Sequence, residues 1–276
     1  MISNSMTTDL FSLAGKVAIV TGGYGVLGGN LASSLGAAGA KVAIIGRKRE
    51  SAEEKAADIR RKGGEALAVV ADVVSEEQLK AASAEILATW GQVDILINAA
   101  GGNVARARSD NKPVFEIPMD AFDEVLRLNL HGTVVPSMIF GAAMAERKSG
   151  VILNISSMAA SRALTHLMGY SIAKAGVENM TRWLAVDLAR RYGSGIRVNA
   201  IAPGFFVANQ NRALLIKPDG SHTPRGSQII NATPMGRFGE AHELVGPVHF
   251  LCSDAASFVT GVVIPIDGGF SAFSGV

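Results

Sequence analysis

Seven short runs rich in Val and Ile recur along the chain, at 16–20, 41–45, 67–70, 94–97, 151–155, 196–200 and 262–266. They are apolar on both side-chain parities rather than alternating, the pattern of parallel strands covered on both faces. Between them lie helix-length stretches at 28–38, 50–62, 76–90, 120–148, 170–192 and 240–253. Strand and helix in alternation predict an α/β fold, a doubly wound, Rossmann-type parallel sheet of about seven strands with helices on both faces. No Pro/Ser-rich linker, composition break or internal repeat divides the chain, so 1–276 reads as a single domain. One segment does not fit the alternation. Residues 205–238 lie between the sixth and seventh strands and hold Pro218, Gly220, Pro224, Gly226 and Pro234. Connections of that length serve as active-site lids or stay disordered. Phe205, Phe206, Leu214, Leu215 and Ile216 make this one too apolar for a solvated tail, and a substrate lid is expected.

Composition narrows the partners. The chain has 26 basic and 24 acidic residues for a formal net charge of +2, with 48% hydrophobic and 18% charged residues. That balance excludes a disordered polypeptide and gives no electrostatic reason to expect nucleic acid or an anionic membrane. With one cysteine, Cys252, and five scattered histidines, no internal disulfide and no metal site are expected. Residues 1–13 lack the basic start and apolar core of a secretory signal. The uncharged stretch 128–145 approaches membrane-spanning length, but Asn129, His131, Gly132, Pro136 and Ser137 mark it as a buried helix. A cytoplasmic protein is expected.

The 31 glycines cluster, and the first cluster carries chemistry. The first strand runs into Thr21-Gly22-Gly23-Tyr24-Gly25-Val26-Leu27-Gly28, where a helix begins. Glycine lets backbone turn tightly and approach a pyrophosphate, and the new helix offers free N–H groups and its positive dipole end. A dinucleotide is the expected ligand. After the second strand, where a carboxylate would meet the ribose of NAD, the sequence reads Ile45-Gly46-Arg47-Lys48-Arg49. Arg47 can fork onto a 2′-phosphate, with Gly46 leaving it room, so NADP(H) is favoured over NAD(H).

Further motifs follow in order: Asp72, Asn98-Ala99-Ala100-Gly101, Asn129, Ser157 within Asn154-Ile155-Ser156-Ser157, Tyr170-Ser171-Ile172-Ala173-Lys174, Asn199, Pro203-Gly204 and Asp267-Gly268-Gly269. This ordered set resembles the short-chain dehydrogenase/reductase family over nearly the whole sequence. The resemblance implies an oxidoreductase in which Ser157, Tyr170 and Lys174 are catalytic and Asn129 is a fourth member. It implies a cofactor site of Thr21, Gly22, Gly25, Leu27, Gly28, Arg47, Asp72, Val73, Asn98, Ala99, Gly101, Tyr170, Lys174, Pro203, Gly204 and Phe206, and a homotetramer. Two positions depart from the family: Val26 stands where Gly is usual, and Ala208 where a Thr often bonds the carboxamide. Backbone near Phe206, or Asn209, is expected to replace that Thr.

The residues also make chemical sense unaided. Tyr170 and Lys174 lie four apart and share a helix face. A nearby ammonium favours phenolate, bringing the tyrosine toward working pH for proton transfer with a carbonyl or alcohol. Ser157 can hydrogen-bond the same oxygen, Lys174 the nicotinamide ribose, and Asn129 can hold a proton-relaying water.

Within the family the sequence resembles the sugar-acid dehydrogenases, particularly the D-mannonate oxidoreductases of this family, which interconvert D-fructuronate and D-mannonate. The stretches carrying this are Ser157-Met158-Ala159-Ala160, Pro203-Gly204-Phe205-Phe206, Asn209-Gln210-Asn211-Arg212, Thr233-Pro234-Met235-Gly236-Arg237-Phe238-Gly239-Glu240 and Gly268-Gly269-Phe270-Ser271. A hexonate needs donors for a carboxylate and amides for hydroxyls. Asn103, Arg106, Arg108, Met158, Arg162, His166, Asn209, Gln210, Asn211 and Arg212 are the candidates, with Arg108, Arg162 or Arg212 expected on the carboxylate. Two other readings stay open: a reductase of another carbonyl such as a 3-oxoacyl thioester, and a nucleotide-sensing protein without catalysis. The intact Ser157, Tyr170 and Lys174 speak against the sensor.

Overall fold

A computed structural model describes residues 10–208 and 211–275. Its seven strands form one parallel sheet in the order β3-β2-β1-β4-β5-β6-β7. They are β1 Val17–Thr21, β2 Lys41–Gly46, β3 Glu65–Val70, β4 Ile95–Asn98, β5 Gly150–Ile155, β6 Ile196–Pro203 and β7 Val263–Ile266. All seven apolar runs are strands, and the largest shift is at β6, which continues three residues further. Every residue of β1, β4, β5 and β6 is buried, which is why these runs carry no alternation. The chain winds outward from β1 to β3, then returns to β4 and winds the other way. The crevice where the order reverses, beyond the ends of β1 and β4, is where such sheets hold ligands.

The helices are α1 Val26–Ala37, α2 Arg49–Arg61, α3 Glu76–Trp90, α4 Met119–Leu126, α5 Gly132–Arg147, α6 Met168–Tyr192, α7 Arg212–Leu215, α8 Pro224–Asn231 and α9 Val245–Cys252. On one face Leu31, Leu35, Ile59, Val248 and Leu251 from α1, α2 and α9 pack on Val20 and Ile44. On the other, Leu79, Ile86, Phe140, Met144 and Leu184 from α3, α5 and α6 pack on Ile19 and Leu96. Cys252 is a buried core residue whose thiol burial pushes up to about 12. Arg197 on β6 is buried and donates to the carbonyls of Leu251 at 2.8 Å and Ser253 at 2.9 Å, placing a cation at the α9 C-terminus.

Two expected elements differ. The 120–148 helix is continuous over Met119–Arg147 but carries a π turn at Arg127–His131, centred on the buried Asn129, between α4 and α5. By length and hydropathy Met119–Arg147 could cross a membrane, yet Phe140 and Met144 lie fully inside the sheet's core layer. The 240–253 helix begins as a 3₁₀ turn, Ala241–Leu244, closed by a capping box between Glu240 and Glu243.

The segment 205–238 contains two short helices, α7 and α8. Pro224 starts α8, with the Thr223 hydroxyl accepting from Gly226 N–H at 3.0 Å. Its base is pinched: Gly239 N–H donates to the Phe205 carbonyl at 2.9 Å, and Phe206 bridges Gly239. A Cβ on Gly239 would stand 2.7 Å from the Phe206 ring, so only glycine lets these two stretches meet.

Candidate active site

The strand ends open into a cleft of about 780 Å³ running from the β1–α1 turn to the 205–238 segment. At one end the β1–α1 turn is built of glycines because other backbone occupies the space. Gly22 adopts φ +63°, and a Cβ there would lie 2.9 Å from Ala100 Cα. A Cβ on Gly28 would lie 2.5 Å from the Gly22 carbonyl oxygen. Gly25 caps α1 with no side-chain bond, and the first turn of the helix has no acidic residue. The first N–H groups of α1 are thus uncapped by side chains, and the wall beside them is too close for anything but glycine. That geometry fits a dinucleotide pyrophosphate. Val26 replaces the usual glycine without cost because it begins the helix outside this contact, 38% exposed.

Gly25, Leu27, Arg47, Asp72, Val73, Ala99, Gly101, Pro203, Gly204 and Phe206 line the same cleft with Gly22 and Gly28. Arg47 is exposed on it, at the end of β2. Gly46 makes room for something other than Arg47. The Tyr24 ring covers it so closely that a Cβ would fall 2.1 Å from Tyr24 Cε1, while the Tyr24 hydroxyl accepts from Lys48 N–H at 3.3 Å. Tyr24, which the glycine pattern alone did not single out, is therefore a wall of this end.

Two expected cofactor residues lie beneath the cleft instead. Thr21 is fully buried and its hydroxyl accepts from Ala99 N–H at 3.1 Å and Ala100 N–H at 3.2 Å, tying the β1 and β4 ends together. Asn98 is buried and donates to Ser137 Oγ and Asn154 Oδ1, both at 2.9 Å.

At the far end β5 and α6 bring Ser157, Tyr170 and Lys174 to one wall. Lys174 is 4% exposed; its Nζ donates to the Ile155 carbonyl at 2.7 Å and lies 5.6 Å from the centre of the Tyr170 ring. Burial pulls this ammonium down to about 8. Burial also pushes the Tyr170 phenol above its ordinary value, with the Ser157 hydrogen bond pulling it partly back. The expectation of a phenol lowered by the ammonium is thus corrected: in the protein alone, desolvation outweighs the Ser157 hydrogen bond and the value rises.

Asn129 is bonded within the protein. It is fully buried and does not line the cleft; its Oδ1 accepts from Gly102 N–H at 2.9 Å and its Nδ2 donates to the carbonyls of Gly102 at 2.8 Å and Val125 at 3.0 Å. Both amide hydrogens of the side chain are used within the protein, and it acts as a positioning residue. It clamps the turn after β4, where a Cβ on Gly101 would meet Asn129 Oδ1 at 2.7 Å and Lys174 Nζ at 3.5 Å.

The expected substrate residues divide. Asn103, Arg108, Met158 and Asn211 line the cleft. Asn211 braces the start of the excursion, donating to the Phe206 carbonyl at 2.9 Å and accepting from Ala208 N–H at 2.7 Å. The Phe206 carbonyl and the Ala208 N–H are thus engaged with Asn211. Arg162 and Arg212 are exposed outside the cleft, Arg162 bonding the Ser271 carbonyl. Arg106 is exposed and paired with Asp120 at 2.6 Å. His166 is held at φ 72°, its Nδ1 donating to the Ser109 carbonyl at 3.1 Å, since a carbonyl can only accept. Asn209 and Gln210 lie outside the described residues. The cation that the sequence reasoning missed is Arg225 on α8, which lines the cleft. No local pattern marks it, because only the tertiary fold carries α8 to the wall.

The depressed Lys174 has a consequence for stability. Its folded value, about 8, lies below the ordinary 10.5. The unfolded state therefore holds more protons between those limits, so stability gains from this residue as pH rises from about 8 to 10.5. The gain is about 3 kcal/mol. In urea unfolding of the cofactor-free proteins, the parent should gain about 2 kcal/mol more than Lys174→Met between about pH 7.5 and about pH 10, the buried Cys252 thiol opposing the gain equally in both. An equal increment in both would assign it elsewhere.

Comparison with known proteins agrees with this geometry. Residues 25–271 match the family model described as enoyl-(acyl carrier protein) reductase. An uncharacterized oxidoreductase of Bacillus subtilis, UxuB, is 42% identical over 96% of this chain and 98% of its own. A structure from Haemophilus influenzae, provisionally described as a D-mannonate oxidoreductase with bound NAD, is 42% identical and superposes with a TM-score of 0.91 over 96% of this chain and 98% of that one. A gluconate 5-dehydrogenase of Burkholderia cenocepacia, in complex with NADP and tartrate, is 34% identical with a TM-score of 0.87 over 97% and 99%. From the glycine cradle at one end of the cleft to the Ser157, Tyr170 and Lys174 wall at the other, the protein belongs to the short-chain dehydrogenase/reductase family of nicotinamide-dependent oxidoreductases acting on alcohol groups.

Proposed function

We propose that this protein interconverts a keto sugar acid and its hydroxy acid, of the D-fructuronate/D-mannonate type, with NADP(H) preferred over NAD(H). The observation carrying this is the charge of the cleft wall: Arg47, Lys174 and Arg225 line it against one carboxylate, Asp72, while Arg108 lines it already paired with Asp110. A cleft so lined favours anions at both ends, a phosphate near Arg47 and an acid near Arg225. The sugar-acid names of the related structures support the same class.

The nicotinamide, when bound, supplies or accepts the hydride. The protein's own residues manage the oxygen. In reduction Tyr170 gives its phenolic proton to the carbonyl oxygen while Ser157 donates a hydrogen bond to it. Lys174, held by the Ile155 carbonyl, keeps a positive charge behind the phenol and presents its remaining N–H groups to the cofactor ribose. Asn129 holds the 101–102 turn in place. Phe205 and Phe206 exclude water, and 205–238 serves as the lid of a single domain spanning 1–276. The protein works in the cytoplasm as a homotetramer, with a small polar carbonyl compound as its partner rather than membrane or nucleic acid.

The test is a kinetic panel. With NADPH, kcat/KM for D-fructuronate should exceed that for D-fructose, its uncharged counterpart, by at least about 30-fold, the low end for a buried charge pair. Equal values would leave a carbonyl reductase without acid recognition. The same assay with NADH, repeated on Arg47→Asp, should show preference moving toward NAD(H), since a carboxylate repels the 2′-phosphate and accepts from the ribose. A parent that already prefers NADH removes the argument from Arg47.

A further inference from the structure

The two arginines at the substrate end are not equivalent. Arg108 is already matched: its Nε and Nη2 bond both oxygens of Asp110, at 2.5 and 2.7 Å, and its side chain is 17% exposed. Together they form a neutral pair in the wall. Arg225 projects from α8, is half-buried, and donates from Nη1 to the Thr165 hydroxyl at 3.2 Å. Among the described residues no carboxylate lies within salt-bridge distance of it. Four of its five N–H donors have no protein partner there, although it lines the same cleft as Ser157 and Tyr170. The lining of the same cleft includes the apolar Met158, Leu164, Leu167, Leu214 and Leu215. The wall it faces is fixed, because Ser109 and His166 exchange backbone and ring bonds that tie the Arg108 loop to the Thr165 loop.

We propose that Arg225 is the residue that recognises the substrate's carboxylate, forking onto it from the lid while Thr165 sets the plane of the guanidinium. Arg108 shapes the wall and stays with Asp110. A planar fork with unused donors suits a carboxylate better than a hydroxyl, because two parallel N–H groups can meet both carboxylate oxygens. Asp110, whose carboxyl Arg108 holds below its ordinary value with a smaller contribution from Arg225, keeps the empty site from being strongly cationic. The inference rests on the sugar-acid reading.

Three proteins test it: the parent, Arg225→Gln and Arg108→Gln, each assayed on D-fructuronate and D-fructose, with NADPH affinity measured by fluorescence titration. Arg225→Gln should lose about 30- to 300-fold in kcat/KM on the uronate and at most a few-fold on the ketose, with NADPH affinity kept. Arg225→Lys should recover part of the loss, having charge without the fork. An Arg225→Gln variant that discriminates like the parent overturns the assignment, and so does one that loses both substrates equally. Collapse of discrimination in Arg108→Gln alone moves the role to the wall. A parent that does not discriminate sinks the sugar-acid reading itself, a different failure visible before any variant is made.

Discussion

Tyr170→Phe should reduce turnover by about 10²–10⁴-fold and leave cofactor affinity near that of the parent. The substitution removes one hydroxyl and keeps the ring beside Lys174, so the shape of the wall survives. The proton that must reach the carbonyl oxygen is lost. Because burial holds the phenol above its ordinary value, it is protonated throughout the neutral range and ready to act as an acid. Reduction should therefore be flat near neutrality and fall at alkaline pH, whereas alcohol oxidation, which needs the phenolate, should climb with pH. Ser157→Ala should raise the phenol further, since its hydrogen bond is what pulls the value back, and move both limbs upward in pH. Near-parental turnover in Tyr170→Phe would take this residue out of the chemistry.

Gly28→Ala should be the most damaging change at the other end of the cleft. An added methyl would stand 2.5 Å from the Gly22 carbonyl oxygen, 3.1 Å from its carbonyl carbon and 3.4 Å from Ala99 Cβ. Two of these neighbours are backbone of the turn that must meet the pyrophosphate, so relief can come only by moving the turn or the start of α1. Overpacking of this kind costs about 1–3 kcal/mol, and here it falls on the cofactor-binding geometry. Cofactor affinity should weaken by roughly 10- to 100-fold, with a lower melting temperature in the absence of cofactor. Affinity equal to the parent's, measured by fluorescence titration, would show that the cradle does not touch the phosphates.

The strands were readable because a parallel strand covered on both faces must be apolar at consecutive positions, and that signature survives without any tertiary knowledge. The glycine turn and the Tyr170 and Lys174 spacing were readable for a similar reason: the constraint is local. What escaped depends on distant partners. The π turn at Arg127–His131 forms around Asn129, whose bonds reach Gly102, 27 positions away. Thr21 and Asn98 stand in the right motif, but their side chains are spent on the sheet's own polar groups rather than on a ligand. Arg162 and Arg212 stand near the right loops and are exposed outside the cleft, whereas Arg225 reaches it from a helix whose Thr223-Pro224 start marks where it begins but not which way it faces. Composition identifies a cation; only packing decides which way it faces.

The pinch at Phe205, Phe206 and Gly239 bears on how such an enzyme can diversify. The backbone returns to its point of departure, closing a neck, with further ties from Met235 N–H to the Gly268 carbonyl at 3.1 Å and from Arg225 to Thr165. Doubling the length of a flexible loop adds only about 0.6 kcal/mol of closure entropy. Changes of length within that stretch therefore cost little closure entropy, and its exchange replaces Arg225, Leu214 and Leu215 together. Substrate choice is carried by a transplantable cassette, and chemistry by the frame that holds it.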